Sequence, residues 1–287
     1  MQALIGVRAL GMLQNDPLRG PVALRLVDAL VGLPADADGL GTATLVDGNA
    51  LLCRAKLPGG MSGLHGNTLS ALVGTPQGHA AVVQVGASSE LRPTALDQAQ
   101  NLGPFRARSY AAAVVGGPQG ADEAAASRER LLACLPDFLL RCVSGKSEAE
   151  AFFLAILAHL HRKGVLDANH DNANWLLDAV QGVDDGAAPR HVTFTNGVAV
   201  LHVGRGLPSA IVTISGLPDD VAGRLSPAFV DSSTARERNR RYRGVFALGA
   251  LDEPLSAQMA LPASVTLTVL PNVAAALIGR DLSVRLL

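Results

Sequence analysis

Few residues in this chain are spaced for chemistry. His159 and His161 stand two apart in a segment of helical character. At about 100° per residue they point roughly 200° apart, so one metal ion cannot take both. Asp167, Asn169, Asp171 and Asp178 fall at positions 1, 3, 5 and 12 of a calcium loop. Asn172 replaces its obligatory glycine, however, and an aspartate its bidentate glutamate, so a polar inter-helix loop is the better reading. Gly145-Lys146-Ser147 ends like a phosphate-binding loop, but Leu140 takes the place of the first glycine and a helix, not a strand, precedes it. No GxSxG or HExxH motif occurs. Cys53, Cys134 and Cys142 lack CxxC spacing; Cys53 and Cys142 lie in apolar segments with no histidine near them in sequence. Buried free thiols in a reducing compartment are the expectation. The sharpest charge feature is RERNRRYR, which sets Arg236, Arg238, Arg240, Arg241 and Arg243 around Tyr242, five of the chain's 24 lysines and arginines. Read as an exposed loop, it suits a phosphate, an acidic protein or RNA. A protein partner fits better than nucleic acid, because nothing else in the chain builds a basic face.

The elements that would position these residues alternate little. Residues 21–33 carry apolar positions at helical spacing with Pro21 in the first turn. GTATLVDGNALLCRA predicts a hairpin turning at Asp47-Gly48, and HVTFTNGVAVLHV a second one at Asn196-Gly197. Residues 57–66 are rich in glycine and proline and predict a loop. AAVVQV, RSYAAAVV, AIVTIS, RGVFALG and SVTLTVL predict further strands. Asp122 to Val143 predicts a helix broken at Pro136. Ser147 and Glu150 form a capping box for the clearest helix, whose apolar residues run from Ala149 to Leu160 before Gly164 ends it. Another helix is expected from Trp175 to Val180. Strands cluster at both ends with helices between them, which favours α+β over a doubly wound sheet. No linker divides the chain, so one domain over 1–287 is expected.

Seven segments, in order, resemble class II glutamine amidotransferase domains of the N-terminal nucleophile hydrolases. DGLGTA is similar to the family's Asp-Gly-Trp-Gly-Ile-Ala strand, VQVGASS to Ala-His-x-Arg-x-Ala, and NLGPF to Asn-x-His-Pro-Phe. RSYAAAVVGG sits at Arg-x-x-x-x-Ala-His-Asn-Gly and SEAEAFFLAIL at the Ser-Asp-Ser-Glu helix start. FTNGVAVL and Glu253-Pro254-Leu255 complete the series. The resemblance implies a four-layer αββα sandwich of two antiparallel sheets, with the start of the first strand between the sheets.

The departures fall where that resemblance places the chemistry. Gln2 stands at the nucleophilic cysteine, and a carboxamide has no atom that a base could activate. With so large a residue at position 2, Met1 is expected to stay and plug the cleft. Gly86 stands at the arginine that would clamp the substrate carboxylate, and glycine offers no donor for that pairing. Val115 stands at the asparagine that would help hold the oxyanion, an interaction worth about 3 kcal/mol in such sites. Gly116 keeps one backbone N–H there. Asn101 keeps its family position, and Glu148 replaces the aspartate that would bind the substrate amine. The reading is an inactive amidotransferase-like protein, a structural or regulatory subunit partnered by a synthase or other enzyme. Two alternatives compete: an active amidotransferase or amide hydrolase with a remodelled site, and a binding module working through Arg236–Arg243. No cofactor or metal is called for, and self-association is left open.

Composition narrows the classes. The chain has 287 residues, 48% of them hydrophobic, enough for a large core. A net charge of −1 with a sequence pI near 6.6 gives no field that would gather nucleic acid or anionic lipid. No apolar run reaches the roughly 18 residues of a membrane span. The first thirteen residues lack a basic leader, so a cytoplasmic protein is expected. Aromatics make up only 3%, while alanine and glycine abound, which reads as a mark of a GC-rich genome.

Overall fold

The structure is a computed structural model that describes residues 5–34, 36–46, 49–56, 78–87, 99–166, 173–225, 228, 230–256 and 261–287. Two sheets lie face to face. The larger orders β12 (Val265–Leu270), β10 (Ser209–Ser215), β11 (Arg243–Leu251), β1 (Ile5–Gln14), β5 (Ala80–Ala87), β3 (Ala37–Val46) and β4 (Asn49–Lys56). The smaller orders β14 (Val284–Leu286), β13 (Val273–Ile278), β9 (Val200–Arg205), β8 (Arg190–Thr195), β7 (Tyr110–Gly116) and β6 (Phe105–Ala107). Among the described residues every pairing is antiparallel except a two-residue bridge between β1 and β2 (Val31–Gly32).

Strand alternation builds three apolar layers. In β1, Leu10 and Met12 face outward and pack with Val22, Leu24 and Val27 of α1 (Gly20–Val27). Ala9 and Leu13 face inward, toward Ala113 and Val200 of the smaller sheet. On the far side, Ala112, Val114, Val192 and Phe194 pack against Phe152, Phe153, Ile156 and Leu160. The result is the four-layer αββα sandwich of two antiparallel sheets, with helices on both outer faces, that the resemblance implies.

The outer helices of the smaller sheet are α2 (Ala121–Ala133), α3 (Asp137–Leu140), α4 (Glu148–Arg162) and α5 (Ala173–Val183). Pro136 separates α2 from α3, as expected. Ser147 caps α4, its Oγ accepting from the Glu150 N–H at 3.1 Å. The reciprocal half of the predicted capping box is not made. Glu150 accepts instead from the N–H groups of Ser144 and Gly145 and the Ser144 hydroxyl, tying down the preceding loop. At the other end Gly164 takes φ +70°, and the Val165 and Gly164 N–H groups bond back to Leu160 and His161, a Schellman end.

Three other expectations change. The helix predicted over 21–33 ends at Val27, because Val31 and Gly32 leave it to pair with Ile5 and Gly6. The arginine-rich run is not a loop. Ser233–Arg241 forms helix α7, following α6 (Asp219–Leu225); the Ser232 Oγ accepts from the Ala235 N–H, and buried Ala235 and Asn239 lie one turn apart beside fully buried Tyr242. The cysteines are free but not buried: Cys53 and Cys134 are exposed and Cys142 half-buried. Cys53 lies on edge strand β4 with Leu51 and Ala55, on the face opposite Ala50 and Leu52, and Cys134 ends the exposed helix α2. The hairpin β8–β9 forms with a longer turn, Thr195 pairing with Val200. Asp47-Gly48, residues 57–66 and residues 167–172 of the calcium-like loop lie outside the described residues.

Candidate functional site

The residues singled out by the resemblance gather, in part, at one end of the sandwich. β7 carries Val115 to that end and stops at Gly116 and Gly117, whose φ values of +83° and +113° glycine adopts without strain. Val115 pairs with His191 on β8 and sits buried between the sheets beside Ala9, Val82 and Ala250. At the expected oxyanion position the side chain is thus apolar and packed. The Gly117 N–H donates to the Pro189 carbonyl at 3.0 Å. Gly86 is buried opposite Gly39 of β3, a pairing of two residues with no side chain. Gln2 lies outside the described residues.

Glu148, the first residue of α4, is fully engaged. Arg190 at the start of β8 donates from its two terminal nitrogens to the Glu148 carboxylate at 3.0 and 2.9 Å, and the Ser127 hydroxyl donates at 2.9 Å. Both side chains are buried, 6% and 8% exposed, and the guanidinium lies 3.9 Å from the Phe152 ring centroid. A bidentate, stacked, desolvated pair of this kind is strong once made and costly to break. Asn101 ends a short 3₁₀ turn, Ala99–Asn101, and its Oδ1 accepts from the Lys146 N–H at 2.5 Å. That bond joins the 101–104 loop to the loop before α4.

Two polar features were not anticipated. Gln84 of β5 is buried and bridges the sheets: its Nε2 donates to the Val114 carbonyl at 2.8 Å and its Oε1 accepts from the Val114 N–H at 3.1 Å. A Cβ on Gly103 would collide with that amide, so only glycine lets the 101–104 loop close over it. The second feature is a histidine cluster from β8 and β9. His191 Nε2 lies 3.1 Å from the Thr193 hydroxyl, which lies 3.4 Å from His202 Nδ1, with the imidazole centroids 4.2 Å apart. All three residues are fully buried, and Gly249 and Gly11 of the facing sheet leave them room. Burial pushes His202 down to about 3, and burial followed by the nearby His202 pushes His191 well below the ordinary histidine range. One hydroxyl that donates to one ring and accepts from the other suits two neutral imidazoles. A hydroxyl beside an imidazole resembles a nucleophile and its base, but total burial leaves no path for substrate. In the sequence, one glutamine in AAVVQVG and polar residues alternating with apolar ones in HVTFT were the only signals.

Elsewhere, His159 sits 3.9 Å from Asp178 while His161 meets the Phe138 ring edge-on, so the two histidines do diverge. Among the described residues no group of three or more metal-ligating side chains forms, and no helix is long and apolar enough to cross a membrane. Among the described residues three concavities stand out. Two, of about 420 and 740 Å³, flank α7; the third, of about 190 Å³, lies among α2, α4 and α5 and is lined in part by Glu148 and Arg190. None of the three opens between the sheets. The arginines of α7 are therefore remote from the Val115–Glu148 end and contact the opposite end of β1, where Arg238 pairs with Asp16 at 2.6 Å.

The fold has known counterparts. A glutamine aminotransferase class-II domain protein from Silicibacter pomeroyi matches over 97% of this chain and 98% of its own, at 14% identity and a TM-score of 0.51. A structure described as the allosteric regulatory enzyme of purine biosynthesis matches 97% of this chain at 12% identity and a TM-score of 0.50. This chain spans 48% of that enzyme's length. No protein-family model and no curated protein matches the sequence. The architecture is that of class II amidotransferase domains, the N-terminal nucleophile hydrolase sandwich. At such identities the likeness concerns the fold.

Proposed function

We propose that the protein is a class II amidotransferase-like scaffold without glutaminase chemistry, serving as a structural or regulatory subunit of an enzyme complex. One observation carries the reading. The carboxylate that the resemblance assigns to the substrate ammonium, Glu148, is held by the chain's own Arg190, whose guanidinium takes the cationic role a substrate amine would play. Displacing it would leave a buried arginine unpaired, a cost of several kcal/mol that weak binding of an amino acid does not offset. Val115 and Gly86 point the same way, since neither supplies the donors that an oxyanion or a carboxylate requires.

The test follows glutamate release from glutamine by the purified protein, alone and with whatever enzyme co-purifies from the native host. No release above the buffer blank is expected. Hydrolysis that a single substitution in the cleft abolishes would overturn the proposal and favour a remodelled hydrolase.

A further inference from the structure

The arginines of α7 are unequally used. Arg238 makes a bidentate pair with Asp16, and Arg241 holds Glu237 one turn back at 2.7 Å. Arg236 spends only its Nε, on the Val230 carbonyl, and Arg240 has no ion pair among the described residues. Both are exposed and lie four residues apart on one helix face. Neither arrangement helps the helix. Like charges at that spacing repel. Arg236 also sits in a first turn that contains no acidic residue, at the end where the helix dipole disfavours cations.

From this surplus of positive charge we infer that the exposed face of α7 docks an acidic, extended segment of a protein partner, its carboxylates received by Arg236 and Arg240. The geometry fits. Residues one turn apart on a helix stand about 6 Å apart at Cβ, and alternate side chains of an extended peptide about 7 Å. The groove of about 740 Å³ along this face includes both arginines. Guanidinium forks pair planar carboxylates in two-bond fashion. Nucleic acid fits less well. Tyr242 is fully buried and offers no ring for base stacking. The surface lies at the Gln14–Asp16 end of β1, roughly 30 Å along the strand from Ile5, so it stands whether or not the cleft retains chemistry.

The test measures fluorescence anisotropy of a labelled Glu-Ser-Glu-Ser-Glu-Ser peptide with the whole protein at low salt. An R236A/R240A variant is compared with R130A/R280A, which removes the same charge elsewhere on the surface. Roughly tenfold weaker binding is expected for the first and none for the second. Equal weakening in both would reduce the effect to net charge and overturn the proposal. So would an unchanged affinity in R236A/R240A, or tighter binding of a single-stranded RNA of equal charge. The melting temperature of R236A/R240A should equal or exceed that of the parent, which separates loss of docking from loss of fold.

Discussion

Acidification should loosen this protein in a window where most proteins are still steady. His191 and His202 are fully buried between the sheets, share one threonine hydroxyl, and are held neutral by burial. Their folded-state pKa values are depressed, His202 to about 3, while in the unfolded chain both titrate near 6.5. The sign follows from linkage. Below pH 6.5 the unfolded chain takes up protons that the folded protein refuses, so stability falls as pH falls and is unaffected well above 6.5. Between pH 7.5 and 5.5 each histidine should cost between about 1 and 2 kcal/mol, roughly 3 kcal/mol for the pair. Carboxylates contribute mostly below pH 5, so the window isolates histidine. Urea unfolding followed by far-UV circular dichroism is the assay, because the lone tryptophan, Trp175, is 41% exposed and a poor reporter of the core. His159, also lowered, chiefly by burial, adds to the same slope. The comparison that decides is therefore with H202Q, whose slope over this window should be clearly shallower whatever its absolute stability. A parent protein equally stable at pH 7.5 and 5.5, or an H202Q slope identical to the parent's, would refute the neutral buried pair.

Other expectations follow from single contacts. R190A should destabilise by about 3–5 kcal/mol in the same unfolding assay, because it strands a buried carboxylate, while R190M/E148Q should recover part of that loss. Q84L should cost about 2 kcal/mol or more, since Val114 would lose partners for both its backbone N–H and its carbonyl. S147A should cost about 1 kcal/mol by removing the cap of α4. Under native conditions a thiol reagent should modify Cys53 and Cys134 rapidly and Cys142 more slowly; three slow thiols would contradict the exposed placement.

The fold was readable wherever period and punctuation agreed. Alternation in the two hairpins and the Ser147-to-Gly164 helix needed only local signals, and both appear at the predicted positions. Helix α7 was hidden because charge masked its period: apart from Ala235, the residues it buries, Asn239 and the adjoining Tyr242, are not aliphatic. Helix α1 was overextended because Val31 continues its apolar spacing, and only pairing with β1, a contact between distant parts of the chain, removes it. The cysteines were misplaced for a related reason. An apolar neighbourhood in sequence says which face of a strand is buried only once the sheet edge is known, and β4 is an edge. At the site, sequence comparison could mark Glu148 as a changed carboxylate but not its partner. Arg190 lies 42 residues away, and nothing local announces that the two meet.

The abundance of alanine and glycine, which composition alone assigns to genome bias, has a structural use. The inward faces of the two sheets meet in good part through small residues: Ala9, Ala43, Ala80, Ala111, Ala113, Ala247 and Ala276, with glycines at 11 and 249. Leu13, Leu45, Ile211 and Ile278 fill the rest of that layer, while Phe152, Phe153 and Phe246 lie in the outer layers and pack beneath helices. Space between the sheets is then taken by polar groups of the chain itself: the Gln84 amide clamped to Val114, and the His191–Thr193–His202 chain under Gly249. Adding a Cβ at Gly11, Gly103 or Gly249 would drive it into Thr193, Gln84 or His191, so these glycines and polar residues depend on one another. In a sandwich whose resemblance leads one to expect a substrate between the sheets, that dependence links the small-residue composition to an interior occupied by its own side chains.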